Sequence, residues 1–294
     1  MISVVIPTYY RYDRLERVLS FLQEQSLKPD EIVIVDQTPL QERPQGFYEK
    51  YNGMPIVRLD IETPSLSGSR NAGSEKASGK YLLFLDDDME FGAELVQHHL
   101  EVMEKEGVDA VYGAISTGPT LPETYERDTK RLDPLSFFLK SPNRRWDGMA
   151  LVISGANTMI KRDVFLRVGG FDEKMPRMED IELGYRLYTA GAKIHYSSKP
   201  HAVHNAAPTG GTRATQKNIG YIKLLSRVYL YQKHFDGWAR QQFYLLIIKN
   251  GFSYRDQLSG TFYLSHLRQP FWPLQTCLML YKAHKESISL LKNN

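Results

Sequence analysis

The sequence predicts an α/β fold: a mixed, mostly parallel sheet flanked by helices and followed by a helical carboxy-terminal extension. Three observations carry this expectation. Short β-rich apolar runs alternate with helical apolar spacing through the first third of the chain, the pattern of strands joined by crossover helices. Two of those runs end directly in acids, at Asp36 and at Asp86-Asp87-Asp88. Beyond Thr215 the pattern changes to long apolar and basic stretches of helical period, such as Ile219, Ile222 and Leu225.

Taken in order, Ile2 to Ile6 reads as a first strand closed by Pro7 rather than as an address tag, since it is too short for a signal-peptide core. Asp13 with Glu16 three residues on forms a capping box, and Leu15, Val18, Leu19 and Leu22 recur at helical spacing. Glu31 to Asp36 is a second, buried strand and Ile56 to Leu59 a weaker third. A short helix from Ser69 to Ala77, closed by Gly79, leads to the strand Tyr81 to Leu85. Val108 to Ile115 is another strand, and the Pro- and charge-rich stretch from Gly118 to Asp147 is a long loop of the kind that carries function. Leu151 to Ile160 resumes as strand, broken by Gly155; Asp163 to Val168 is a short helix before the Gly169-Gly170 turn. Ile181, Leu183, Leu187 and Tyr188 mark a helix ended by Gly191, and Lys193 to Ser197 is the last strand signal.

Composition bounds the function classes. A chain of 294 residues with 42% hydrophobic content is able to bury a proper core, so disorder is not the default expectation. Cys277 is the only cysteine, so no intrachain disulfide can form, nothing suggests a Cys-based zinc site, and a reducing cytosol is expected. No apolar run approaches the ~20 residues that cross a bilayer. From Lys217 onward eleven Lys or Arg face three acids, a net +8 that leaves −5 for the rest of a chain whose total is +3. Tyr229, Tyr231, Phe235, Trp238, Phe243, Tyr244, Phe271 and Trp272 are interleaved with those basic residues. Two readings stand level for this stretch: an interfacial helix docking on an anionic membrane surface, or an ordinary extension packing its aromatics on the body. No nucleic-acid module is recognisable, so nucleic acid is not an expected partner.

The triple aspartate is the most informative chemical feature. Carboxylates ~5 Å apart repel by about 3 kcal/mol at an effective dielectric of 20, so the cluster needs a cation or a water-rich turn. Hard oxygen ligands suit Mg²⁺ or Mn²⁺, which commonly bridge to phosphate oxygens, and ligands of open α/β sheets bind beyond the carboxyl ends of strands.

The wider context is more specific. Asp36 also ends a strand, Ser67 to Gly73 (SGSRNAG) precedes the acidic strand, and Glu179-Asp180 follows Gly169 to Glu173 (GGFDE). In order, IPTYYR, VIVD, SRNAG, LFLDDD, SGANTMI, VGGFDE and ED resemble the family-2 glycosyltransferases of the GT-A (Rossmann-like) fold, over roughly Ile2 to His204.

That resemblance implies an inverting, metal-dependent transfer of a sugar from a nucleotide-diphosphate donor, a UDP-sugar favoured, to a hydroxyl of a glycan or lipid-linked acceptor. It divides the chain into a nucleotide-sugar-binding half (1–110), an acceptor-binding and catalytic half (111–215) and the basic-aromatic extension (216–294). Pro7, Thr8 and Tyr10 are assigned to base and ribose, Asp36 to the base edge, where a carboxylate accepts the imide N–H of uracil or thymine. Arg70 is expected near base or diphosphate. The D-x-D pattern maps onto Asp86, facing the ribose or a metal-bound water, and Asp88, holding Mn²⁺ or Mg²⁺; Asp87, an acid between them on the donor side, leaves the register open. Asp180 is the expected catalytic base and Glu179 an acceptor-orienting residue or helix cap. His204, within Pro200 to Asn205 (PHAVHN) just past the last strand, is a metal or diphosphate contact, with His201 as competitor. The glycine-rich loop from Pro208 to Arg213 either closes over the diphosphate or is a plain linker. A non-processive enzyme is expected, because the Q-x-x-R-W signature of polymerising relatives does not follow Glu179-Asp180; Arg144-Arg145-Trp146 precedes it. The expected place is cytoplasmic, peripheral at the inner face of a membrane if the extension docks there, with work in cell-surface polysaccharide or glycoconjugate synthesis. The rivals are a sugar-nucleotide-binding scaffold without turnover and a sugar-phosphate nucleotidyltransferase, whose glycine-rich loop after the first strand is replaced here by Pro7-Thr8-Tyr9-Tyr10-Arg11.

Overall fold

A computed structural model gives the tertiary structure and describes residues 1–117, 148–205, 211, 218–250 and 272–292. The described residues fall into two compact units, the larger holding 1–117, 148–173, 179–205 and 211, the smaller 174–178, 218–250 and 272–292. The expected loop from Gly118 to Asp147, with Arg144-Arg145-Trp146, lies outside the described residues. So do the Pro208–Arg213 segment apart from Gly211, Thr215, Phe271 and the side chain of Trp272.

The larger unit is built on nine strands: β1 (Ile2–Thr8), β2 (Glu31–Asp36), β3 (Ile56–Asp60), β4 (Tyr81–Leu85), β5 (Met89–Phe91), β6 (Ala110–Ser116), β7 (Gly148–Ala150), β8 (Asn157–Lys161) and β9 (Ile194–His204). They form one sheet in the order β3-β2-β1-β4-β8-β6-β9-β5, with β7 also pairing β9. β1 to β4 are mutually parallel, and β8 runs antiparallel between β4 and β6, so the sheet is mixed. The helices are α1 (Tyr12–Gln23), α2 (Leu66–Lys76), α3 (Leu95–Glu106), α4 (Arg162–Arg167) and α5 (Glu179–Thr189).

Because β1 and β4 are largely apolar, they suit a sheet covered on both faces, and both strands are buried at every position. One face packs Val4, Ile6 and Leu83 under Leu15, Val18, Leu19 and Leu22 of α1 and Val96, Val102 and Met103 of α3. The other packs Val5, Val35, Leu82 and Phe84 under Val164 and Phe165 of α4 and Leu183 and Leu187 of α5. Each such side chain taken fully from water contributes roughly 1.5 to 3 kcal/mol.

Several boundaries differ from expectation. β1 runs through Pro7 to Thr8, because Pro7 lies beyond the end of the β1–β4 ladder, where its missing N–H leaves no gap. Helix α1 starts at Tyr12 with Arg11 as its cap and no side-chain cap bond, so Asp13 is a first-turn acid and not the start of a capping box. Helix α2 starts earlier too, where Ser65 accepts from the Gly68 N–H, which places SGSRNAG inside the helix. Leu151–Ile160 is not one strand. Val152 and Ile153 are buried, and Ile153 joins the core around Leu183 and Leu187, so the sheet resumes only at Asn157. β9 continues to His204, so PHAVHN, apart from Asn205, lies in a strand and not past one. Helix α3 and strand β5 have no counterpart among the expected elements, although Leu95, Val96, His99, Val102 and Met103 form a regular buried face closed by left-handed Gly107.

In the smaller unit, α6 (Ile219–His234), α7 (Gly237–Asn250) and α8 (Trp272–Lys292) pack together. Tyr231 stacks on Phe243 at 3.9 Å between ring centroids, and both are buried, as is Tyr229. Gln232 and Tyr244 meet Nδ1 of His284 at 2.5 and 2.9 Å. The aromatics of this stretch therefore divide: these pack inward, whereas Trp238 is 67% exposed. Among the described residues no helix is long and apolar enough to cross a membrane.

Candidate active site

The site lies where β1 and β4 part. They pair only as far as Val5 and Phe84, while β1 stays paired with β2 as far as Thr8 and Asp36. With β2 and β3 on one side of β1 and β4 on the other, a crevice opens beyond the strand ends, the place where open α/β sheets bind ligands.

The three aspartates after β4 turn to different partners. Asp87, 3% exposed, accepts from Thr8 Oγ1 at 2.8 Å and from Arg11 Nη1 at 3.1 Å. Asp88 accepts from the same Arg11 nitrogen at 3.0 Å and lies 3.2 Å from His204 Nε2. Asp86 accepts from Arg70 Nη2 at 2.6 Å. Burial, reinforced by the neighbouring Asp88 and opposed by Arg11, pushes the Asp87 carboxyl up to about 7. The hydrogen bond to Asp88 raises the His204 imidazole above its ordinary value, against the effect of burial.

Ligand atoms of Asp86, Asp88 and His204 all lie within 4.8 Å of one another, and among the described residues this is the group whose geometry fits a metal ion. Asp87 is outside it, its oxygens already engaged. Two carboxylates and an imidazole fit Mn²⁺ or Mg²⁺, the imidazole favouring Mn²⁺. His201, the competitor, points away from this group and meets Ser116 Oγ at 2.8 Å.

Arg70 is the second hub. Only 2% exposed, it reaches Asp86 with Nη2 and Glu179 with Nη1 at 3.2 Å. Burial disfavours its charge, but Asp86 and Glu179 more than offset this and raise its pKa. A Cβ on Gly155 would lie 2.3 Å from Arg70 Nη1, so the loop before β8 approaches the guanidinium only because residue 155 is glycine. Glu179 is 3% exposed, whereas Asp180, next in the first turn of α5, is half-buried and accepts from the Ile181 N–H at 2.9 Å. Asp180 lies within electrostatic reach of both Arg70 and Tyr112, where burial first and Asp180 second suppress ionisation of the Tyr112 hydroxyl. The helix thus presents a half-buried carboxylate within electrostatic reach of the arginine that also holds Asp86.

The model of glycosyl transferase family 2 matches residues 3–169, more than half of the chain. The chain belongs to glycosyl transferase family 2. The enzyme is 25% identical over 234 residues to an uncharacterized glycosyltransferase of Haemophilus influenzae, covering 76% of each chain. It is 26% identical over 231 residues to the amylovoran biosynthesis glycosyltransferase AmsB of Erwinia amylovora, covering 74% of each. Among solved structures, S. aureus TarS 1-349 in complex with UDP-GlcNAc superposes with a TM-score of 0.64 at 16% identity, over 98% of this chain and 81% of that one. GalNAc-T7 with UDP, GalNAc and Mn²⁺ superposes with a TM-score of 0.61 at 17% identity, over 86% of this chain and about half, 51%, of that one. These likenesses establish the GT-A fold of the glycosyltransferase.

The remaining expected residues of the glycosyltransferase sit beside the acid cluster. Pro7 lies opposite Val35 in the β1–β2 ladder. Tyr10, 40% exposed, has left-handed backbone (φ 57) and donates its N–H to Thr38 Oγ1 at 2.9 Å. A bulky residue in that region is strained and persists only where its surroundings hold it. Asp36 is fully buried: Oδ2 accepts from the Tyr12 and Tyr48 hydroxyls at 2.8 and 2.7 Å and lies 3.4 Å from Arg43, and Oδ1 accepts from the Thr38 N–H at 3.0 Å. It shares no hydrogen bond with the acid cluster.

Sequence reasoning missed Arg11, Tyr48, Arg43 and Asn71 as parts of this machinery. Asn71 Nδ2 donates to Phe171 O at 2.9 Å while its Oδ1 accepts from the Phe171 N–H at 2.8 Å, tying the GGFDE turn to α2. Arg11 and Asn71 stand inside quoted motifs, so a signal was present; Arg43 and Tyr48 stand in a stretch with none.

Proposed function

We propose that this glycosyltransferase binds a nucleotide-diphosphate sugar, a UDP-sugar favoured, in the β1–β4 crevice together with Mn²⁺ or Mg²⁺. It transfers the sugar with inversion to a hydroxyl of a glycan or lipid-linked acceptor. The observation that carries the reading is the convergence of Asp86, Asp88 and His204 within 4.8 Å, with Arg70 bonded to Asp86 and in electrostatic reach of Asp180. When bound, the metal would neutralise the diphosphate as it leaves. Asp86, Asp88 and His204 would hold that ion. Tyr10, Thr8 and Pro7 line the base and ribose side, with Asp36 serving the base edge through the tyrosine hydroxyls gathered on it. Asp87 keeps Thr8 and Arg11 in place on the donor side. Asp180 takes the proton of the acceptor hydroxyl as its oxygen bonds to the anomeric carbon and the bond from that carbon to the diphosphate breaks. Glu179 serves the acceptor side by fixing Arg70 and the turn that carries Asp180.

The name of the amylovoran relative supports a role in cell-surface polysaccharide or glycoconjugate synthesis. Exposed Trp238 beside basic Arg240, in a stretch of net +8, supports peripheral docking on an anionic membrane surface. A thermal-shift screen of UDP-, GDP- and dTDP-sugars with and without Mn²⁺ tests the donor reading. Saturating ligand at about 100 times its Kd adds roughly 2.7 kcal/mol, so a clear rise in Tm is expected for a UDP-sugar with Mn²⁺. No shift with any of them would overturn it.

A further inference from the structure

We propose that Asn157 is a positioning residue that decides on which face of β9 His204 emerges, and so completes the metal group. This rests on the reading of His204 as a metal ligand. In the first part of the β6–β9 ladder Tyr112 faces Tyr196 and Gly113 faces Ser197, but two residues later on β6 Ile115 faces Ala202. β9 therefore carries three more residues than β6 between these points. An odd slip reverses the alternation of side chains. Tyr196 shares a face with Tyr112, their rings 5.3 Å apart, and this is the side of the sheet that Asp180 reaches. In an unbroken strand His204 would lie on that same side. After the slip, Ala202 joins the core with Met89 under α1 and α3, and His204 follows it to the side of Asp88. His201 goes the other way, to Ser116.

One buried side chain spans the slip. Asn157, fully buried at the start of β8, donates through Nδ2 to Ala114 O at 3.0 Å on β6 and to Pro200 O at 2.9 Å in the extra segment of β9. Its Oδ1 meets Nε2 of buried His99 on α3 at 2.7 Å. Since both amide hydrogens are already given to carbonyls, Oδ1 must accept, so His99 Nε2 carries the proton. Gly113 makes room: a Cβ there would lie 2.4 Å from both Asn157 Nδ2 and Pro200 O. Within the extra segment the Lys199 N–H bonds to Ser197 Oγ at 3.2 Å.

The test is Mn²⁺ affinity of the full chain, measured by electron paramagnetic resonance, for the natural protein, His204→Ala, Asn157→Ser and the double variant. Asn157→Ser is expected to weaken Mn²⁺ about tenfold, and to weaken it no further once His204 is already alanine, the signature of two residues acting through one contact. Unchanged affinity in Asn157→Ser, or an independent additional loss in the double variant, overturns the proposal. If His204→Ala itself binds Mn²⁺ like the natural protein, the metal-ligand reading fails instead, and the two failures are distinct. Should Asn157→Ser not fold, Gly113→Ala, which presses on the same clamp from the other side, is read by the same criteria.

Discussion

A single nitrogen of Arg11, Nη1, holds both Asp87 and Asp88, at 3.1 and 3.0 Å. The guanidinium thus supplies part of the positive charge that adjacent carboxylates require. Replacing it with methionine removes a cation that competes for Asp88. Arg11→Met is expected to bind free Mn²⁺ several-fold more tightly in calorimetry without nucleotide, and weaker binding would contradict this role.

Asp180→Asn keeps the size of the side chain and removes its basicity. Turnover is expected to fall about 100-fold or more, the range of general-base contributions, while donor affinity stays within a factor of two. Steady-state kinetics with a titration of the donor read both; unchanged turnover removes Asp180 from the chemistry.

Asp88→Asn should abolish the Mn²⁺-dependent part of thermal stabilisation by a nucleotide sugar, whereas Asp87→Asn should leave most of it. Equal losses would mean that Asp87 also holds the ion.

Arg70→Met leaves Asp86 and buried Glu179 without their shared cation. Breaking a buried pair from one side costs about 3 to 5 kcal/mol, so the urea midpoint should drop steeply. A drop no larger than that of a surface substitution would show that the hub contributes little.

Burial, against the Asn157 hydrogen bond, lowers the His99 imidazole from 6.5 to about 4. The folded state then keeps His99 neutral where the unfolded state already binds a proton. Stability from this group is complete above pH 6.5 and is lost as pH falls toward 4, by about 3 kcal/mol in all. Urea unfolding of His99→Gln beside the natural protein should show the stability gap shifting toward the variant by that order between pH 7 and pH 4.5. A constant gap would show that His99 does not titrate differently on unfolding.

The helix and strand faces were largely legible because their periods are local. Leu15, Val18, Leu19 and Leu22 are the buried face of α1 as their spacing demands, and the acidic ends of β2 and β4 are where the strands stop. Start sites were less legible. Helix α1 begins after Arg11, which makes no side-chain cap bond, and α2 begins after Ser65, whose bond to the Gly68 N–H is local but was not read as a cap.

By itself the sequence determined the family, the α/β class and the order of the acidic motifs, because these reside in residue identity and in repeats of two and 3.6. Only the tertiary structure decided how Asp86, Asp87 and Asp88 divide their partners, and that His204 rather than His201 reaches Asp88. Both depend on which face a side chain leaves, and that turns on contacts between residues far apart in the chain. A three-residue slip in β9, spanned by Asn157 from another strand, reverses the alternation that β9 alone would suggest.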